Sequence, residues 1–250
     1  MKKYILIISF VTIYCFNVCG NFIQGERPIW AINSDTAYIL EKEYWVIDVS
    51  GPVTYGLTDR ISVGTVFWFW YEKMPNFYCK INLLKENEST PAVSILNKIM
   101  SINYKNIIFY SSTSLIFSKQ TSENIFLTLD FTIHTLDLIN IDENKSNFII
   151  DIMKQMANDK TANIITTINV SMVYNMSNSS RFIFESSINL YDSEIIYEQS
   201  ENTIYLPDML IYTGLGFEWA FGENYRLKLS ILSSFFVSYI PYANLSLKFK

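Results

Sequence analysis

The sequence predicts an all-β fold, a single antiparallel transmembrane β-barrel of about twelve strands closed as an up-and-down meander. Three observations carry that expectation. Apolar and polar residues alternate over long stretches with the period of two that a strand imposes on its faces. Half of the 250 residues are hydrophobic and 16% aromatic, yet only 17% are charged, against the roughly 25% of soluble domains. Mean hydropathy is still only +0.16, and beyond the first nineteen positions no apolar run nears the ~18 residues that a membrane helix needs. Apolar residues dispersed in this way suit a wall with lipid on one face and water or side chains on the other.

Met1 to Gly20 carries Lys2 and Lys3, an apolar core and the small residues Val18 and Gly20. This is the shape of a secretory signal peptide cut after Gly20, which leaves 21–250 as the barrel. A lipoprotein cut before Cys15 or Cys19 competes, but Tyr14 and Val18 are poor residues to precede it. Losing Lys2 and Lys3 takes the net charge from −5 to −7, an acidic balance that argues against a nucleic-acid partner. Only Cys79 of the three cysteines then remains, so no internal disulfide can form. It shares an apolar face with Phe77, Ile81 and Leu83, as a small hydrophobe.

Along the chain, Asn21 to Ala37 reads as a periplasmic lead-in, Thr36 to Leu40 as a weak first strand and Glu41-Lys42-Glu43 as its turn. Tyr44 to Leu57 alternates around Trp45, Ile47, Val53 and Tyr55, with Gly51-Pro52 read as a bulge. A three-residue turn, Thr58-Asp59-Arg60, keeps Leu57 and Ile61 on one face. The next strand ends in the aromatic run Phe67 to Tyr71, suited to an interfacial girdle or to a sandwich core. Pro75 to Leu84, Pro91 to Met100 and, past Ile102 to Asn106, Ile107 to Lys119 and Ile125 to Asp137 follow, and in the last of these Ile125, Leu127, Leu129, Phe131 and Ile133 all face one way. Leu138 to Lys160 breaks the rhythm, and Phe148, Ile149, Ile152, Met153 and Met156 recur at helical spacing within an external loop. Strands resume with Ile164, Ile168, Val170 and Tyr174 outward, then Phe182, Phe184, Ile188 and Leu190. A second long loop, about Ile196 to Pro207, leads into a hairpin of Asp208 to Tyr239 around Gly222-Glu223-Asn224. The final strand carries Ala243, Leu245, Leu247 and Phe249.

The words YGLTDRISVG, Tyr55 to Gly64, resemble a hairpin that recurs in bacterial outer-membrane barrel families of uncertain function, where aromatic-Gly-aliphatic-Thr-Asp-Arg joins two early strands. The resemblance is specific over about ten residues. It implies an outer-membrane location, with turns of this kind on the periplasmic side and with outer-membrane lipid and lipopolysaccharide as surroundings. Outer-membrane barrels also end on an aromatic residue that the barrel-assembly machinery reads. Phe249 matches that pattern, displaced one place by Lys250.

The faces turned away from lipid collect Asp48, Lys80, Lys98, Asp130, His134, Arg181, Glu185, Glu218, Arg226, Lys228 and Lys248. Both signs are mixed, whereas a selective pore clusters one sign at a constriction. The hairpin register sets Glu218 opposite Lys228, the place for a cross-strand ion pair in a filled interior. His134, the only histidine, lies four positions from Asp130 on the same inner face, so the pair could serve as base and orienting carboxylate, but no nucleophile is marked. No Cys/His spacing suits zinc and no glycine loop suits phosphate, so no cofactor or metal site is expected. The expected function is a structural protein or a passive pore or carrier for small solutes. The alternatives are action through the long loops, a barrel-embedded lipid hydrolase or protease using His134, and a soluble secreted β-sandwich or lipid-binding protein.

Overall fold

The computed structural model describes residues 27–29, 31, 34–49, 51–71, 74–103, 107–139, 164–191, 195–199, 202–206, 209–221, 224–234 and 240–250. The expected leader and the helix around Phe148 to Met156 lie outside them. The strands are β1 (Trp45–Asp48), β2 (Val53–Thr58), β3 (Ile61–Thr65), β4 (Asn76–Leu84), β5 (Ala92–Asn103), β6 (Ile107–Ser122) and β7 (Ile125–Ile139). They continue with β8 (Ile164–Ser177), β9 (Ser180–Tyr191), β10 (Ile195–Gln199), β11 (Asn202–Leu206), β12 (Met209–Phe221), β13 (Tyr225–Ser234) and β14 (Ile240–Phe249). Twelve of them close into one antiparallel barrel, while β10 and β11 form a separate hairpin, so that β9 pairs directly with β12. Closure comes from β1 against β14, with Trp45 opposite Phe249 and Asp48 opposite Ser246.

Alternation explains which residues face out. Ile133 is 52% exposed, Val170 47% and Phe217 40%, and each has buried polar neighbours on its own strand or the one beside it, such as Thr132, Ser171 and Arg181. A two-residue period permits nothing else once one face is turned inward. Asn97, the polar break in the outer face of β5, accepts a hydrogen bond from Thr113 Oγ1 on β6 at 2.9 Å, which removes most of the cost of putting an amide among apolar neighbours. A closed barrel leaves no edge to satisfy in hydrocarbon, and that, with a continuous exposed apolar belt, makes this a membrane β-barrel.

Four sequence expectations are corrected. Tyr44 to Leu57 is two strands rather than one: Trp45 pairs with Tyr55 and Ile47 with Val53. Gly51-Pro52 is the turn between them, with Asp48 N donating to Pro52 O at 3.2 Å. Proline, which has no N–H to give to a ladder, sits where the ladder ends. Thr36 to Leu40 is not a barrel strand; the split of Tyr44 to Leu57 supplies the twelfth. The aromatic run Phe67–Tyr71 is a one-turn helix, α1, with the Trp70 indole N–H donating to Thr65 Oγ1 at 2.6 Å. The stretch read as a loop at Ile196 to Pro207 contains the β10–β11 hairpin. The Thr58 to Arg60 turn keeps the expected register from Val53↔Thr65 to Gly56↔Ser62, with a bulge between Gly56 and Thr58.

The wall is uneven in height. The 16 residues of β6 run about 53 Å along the strand, whereas the 5 residues of β3 run about 17 Å, or about 13 Å along the barrel axis at the usual tilt. On the β1–β3 side the wall is therefore shorter than the ~25 Å apolar band of such barrels.

Candidate functional site in the barrel lumen

The inner faces of β5, β6 and β7 present Ser94, Ser112, Ser114, Ser118, Thr128 and Thr132, all buried. Side chains this small cannot fill a twelve-stranded lumen, and the chain fills it with its own N-terminal segment. Ala31, Ser34, Asp35, Thr36, Ala37, Tyr38 and Leu40 are all buried. The expectation of a periplasmic lead-in is thus replaced by a segment folded inside the barrel.

Its backbone is held by side chains of the wall, because a single chain crossing a lumen has no neighbouring strand to pair with. Ala37 N–H donates to Ser118 Oγ at 2.7 Å, and Ala37 C=O accepts from Ser94 Oγ at 2.7 Å. Lys228 Nζ donates to the Ala31 carbonyl. Ser34 donates from both N and Oγ to one Glu185 carboxylate oxygen, at 3.1 and 2.9 Å. Lys80, only 1% exposed, donates to Asp35 Oδ1 at 3.2 Å, Thr36 O at 3.1 Å and Tyr38 O at 3.2 Å. These three acceptors use all three ammonium protons. Lys98 reaches the other Asp35 oxygen at 2.9 Å. Burial alone would raise the Asp35 carboxyl, but the two ammonium groups outweigh it and hold the carboxyl down at about 2.

Where the segment leaves the lumen it lies against Gly56, whose N–H donates to Tyr44 O at 2.9 Å and whose C=O accepts from Glu43 N at 2.8 Å. A Cβ on Gly56 would run into the Glu41 and Leu40 carbonyls, so only glycine admits this crossing. Close by, Glu86 turns in from the β4–β5 connection. It takes Arg27 at 3.0 Å, the Tyr38 hydroxyl at 3.1 Å and Gln120 N–H at 2.6 Å. Nothing in Lys85 to Ser89, which reads as a short charged turn, signals that role.

The predicted inner-face residues divide around the segment. Asp48, Arg181, Glu218, Arg226 and Lys228 surround a small cavity of about 40 Å³ beside Arg27 to Ile29. Glu218 does stand opposite Lys228 in the register, but the expected ion pair is replaced: Glu218 meets Arg181 at 3.5 Å, and the Lys228 ammonium turns to the segment. Lys80 sits under Asp35. Lys98, Asp130, His134 and Glu185 face a polar vestibule of about 490 Å³ on the other side, shared with Tyr110 and Tyr212.

For the neutral ring, hydrogen bonds there select the tautomer of His134. Thr167 Oγ1 donates to Asn189 Oδ1 at 2.6 Å, so it accepts from His134 Nε2–H at 2.9 Å. Nδ1 is then left to accept the Tyr110 hydroxyl proton at 2.7 Å. Asp130 is engaged elsewhere, by Thr132 Oγ1 at 2.9 Å and Asn169 Nδ2 at 3.0 Å. The two residues therefore belong to separate networks, and His134 is not oriented by a carboxylate as a catalytic base would be.

These features define a transmembrane β-barrel whose lumen is occupied by its own N-terminal segment. No protein-family model matches the chain, and no curated protein matches it in sequence. Among solved structures it is similar to a KdgM porin in complex with disordered oligogalacturonate, with a TM-score of 0.47 and 6% identity over 83% of this chain and 96% of that one. It is also similar to the outer membrane channel DcaP of Acinetobacter baumannii, with a TM-score of 0.34 and 11% identity over 79% of this chain and 60% of that one. Identities this low carry no residue role from one chain to another.

Proposed function

We propose that the protein resides in the bacterial outer membrane, after removal of residues 1–20, as a passage for small solutes that residues 27–44 hold shut. The occupied lumen is the observation that carries this reading. A protein with a purely structural role needs no vestibule, whereas here about 490 Å³ of polar space remains on one side of the segment and about 410 Å³ on the other. Passage then depends on displacing a segment that continues into β1 at Trp45 and is otherwise held in the lumen by hydrogen bonds and ion pairs. The short-turn end and both chain ends face the periplasm, and Phe249, paired with Trp45 at the closing seam, is the residue offered to the assembly machinery. Lipid and lipopolysaccharide surround the belt.

Liposome swelling with sugars and amino acids of graded size tests the proposal. The intact protein should give slow uptake, and a variant lacking residues 27–40 should admit the smaller solutes rapidly. Equal rates for the two would remove the gating role.

A further inference from the structure

The low side of the wall contains an opening that the polar passage does not explain. The β3–β4 ladder stops at Gly64↔Tyr78; beyond it Phe77 and Asn76 keep their backbone pairing with Ile99 and Met100 of β5, and toward β3 the Asn76 side chain bridges the step, accepting from Val66 N–H at 2.7 Å and donating to Val66 O at 2.9 Å. Above this step lies a cavity of about 190 Å³ with a largely apolar lining of Val66, Phe69, Phe77, Ile99 and Met100. Phe77 is 50% exposed and Ile99 43%, and both belong to the lipid-facing belt. At its inner end the same cavity is bounded by Asp35, Lys98 and Tyr110, which also bound the polar vestibule. The two spaces therefore meet at Lys98, and one of them touches the membrane.

Lys80 and Lys98 share one carboxylate, Asp35, while the Asp130 carboxylate also faces the vestibule, hydrogen-bonded to Thr132 and Asn169. Lys80 is enclosed, while the Lys98 side chain is 43% exposed. A cation at the boundary between a polar chamber and an apolar slot that opens on lipid selects one shape of molecule: an anionic head with a single alkyl tail. Resting on the reading of the barrel as a solute passage, we propose that its substrate is a single-chain carboxylated amphiphile. It passes sideways between membrane and lumen beneath α1, with its carboxylate on Lys98 and its tail among Phe69, Phe77, Ile99 and Met100. The carboxylate then competes with Asp35 for Lys98, so that binding loosens one of the contacts that hold the segment in place.

A palmitic acid analogue with a diazirine near its tail end tests this in the full-length protein reconstituted in nanodiscs. Photolysis followed by peptide mapping should place adducts on peptides carrying Phe77 or Ile99. The yield should fall about tenfold in Lys98→Met, the equivalent of one charge-assisted hydrogen bond, and in Met100→Trp, which fills the slot. The corresponding diazirine alcohol should lose yield only in Met100→Trp. Both variants are scored only as the heat-modifiable folded band, so misfolded protein does not enter the comparison. Adducts spread evenly over the outer belt, or yields unchanged in both variants, would overturn the amphiphile route. Solute uptake on removing residues 27–40 would in that case still stand, so the two proposals fail separately.

Discussion

Lys80 and Asp35 lie 3.2 Å apart near the centre of the lumen, one on β4 and the other on the segment that fills the barrel. The remaining Lys80 protons go to the Thr36 and Tyr38 carbonyls, so a single buried ammonium ties down three residues of the four-residue stretch from Asp35 to Tyr38.

Removing that ammonium should be costly. Lys80→Met leaves Asp35 to Lys98 alone and strips two carbonyls of a donor, which for a buried pair amounts to about 3–5 kcal/mol. Heat-dependent gel mobility should show the variant unfolding at a lower temperature. The double variant Lys80→Met with Asp35→Asn should lose less than the sum of the single changes, because the two groups share one interaction. Strict additivity would mean that the pair is not coupled.

The pH dependence follows from Asp35. Its carboxyl is held at about 2 in the folded state, below the ordinary value of about 4, so it binds a proton more readily when the segment is released. Its stabilisation is therefore fully present above about pH 4 and is lost as pH falls toward 2. Hydrogen-exchange protection at Ala37 and Tyr38, corrected for intrinsic rates, should be level from pH 8 to pH 5 and decline only below about pH 4. A decline between pH 7 and pH 5 would assign the contact to another group.

His134 should be neutral with its proton on Nε2. Nitrogen NMR of the labelled ring should show Nδ1 unprotonated and Nε2 protonated, matching the bonds from Tyr110 and to Thr167. His134→Ala should destabilise the barrel by about 1–3 kcal/mol, since two partly buried hydroxyls lose their partner, and should leave any hydrolysis of added lipid or peptide at the level of the parent. A histidine-dependent turnover would contradict the assignment.

Gly56→Val should expel the segment without unfolding the strands, because the added side chain meets the Glu41 and Leu40 carbonyls. Added protease should then cut within residues 27–44 of the variant in liposomes, while the parent chain stays intact.

The lipid face was legible because hydrocarbon enforces a period of two over ten or more residues, and Ile133, Val170 and Phe217 fall where that period puts them. Turn residues were less telling. Gly51-Pro52 reads equally as a bulge or as a reversal, and only the pairing of Trp45 with Tyr55, whose rings stand 4.5 Å apart, decides between them. The occupied lumen left no local trace, since Asp35 finds its partners 45 and 63 positions further on and Ala31 meets Lys228. One signal was present in the strands themselves. The serines and threonines lining β5 to β7 are too small to close the barrel, and something else had to.

Single-channel recording in planar bilayers tests the occupied lumen most directly. The full-length protein should insert without conductance steps, and the variant lacking residues 27–40 should give discrete, ohmic steps under the same conditions. Steps of equal size from both proteins would contradict a lumen closed by its own N-terminal segment.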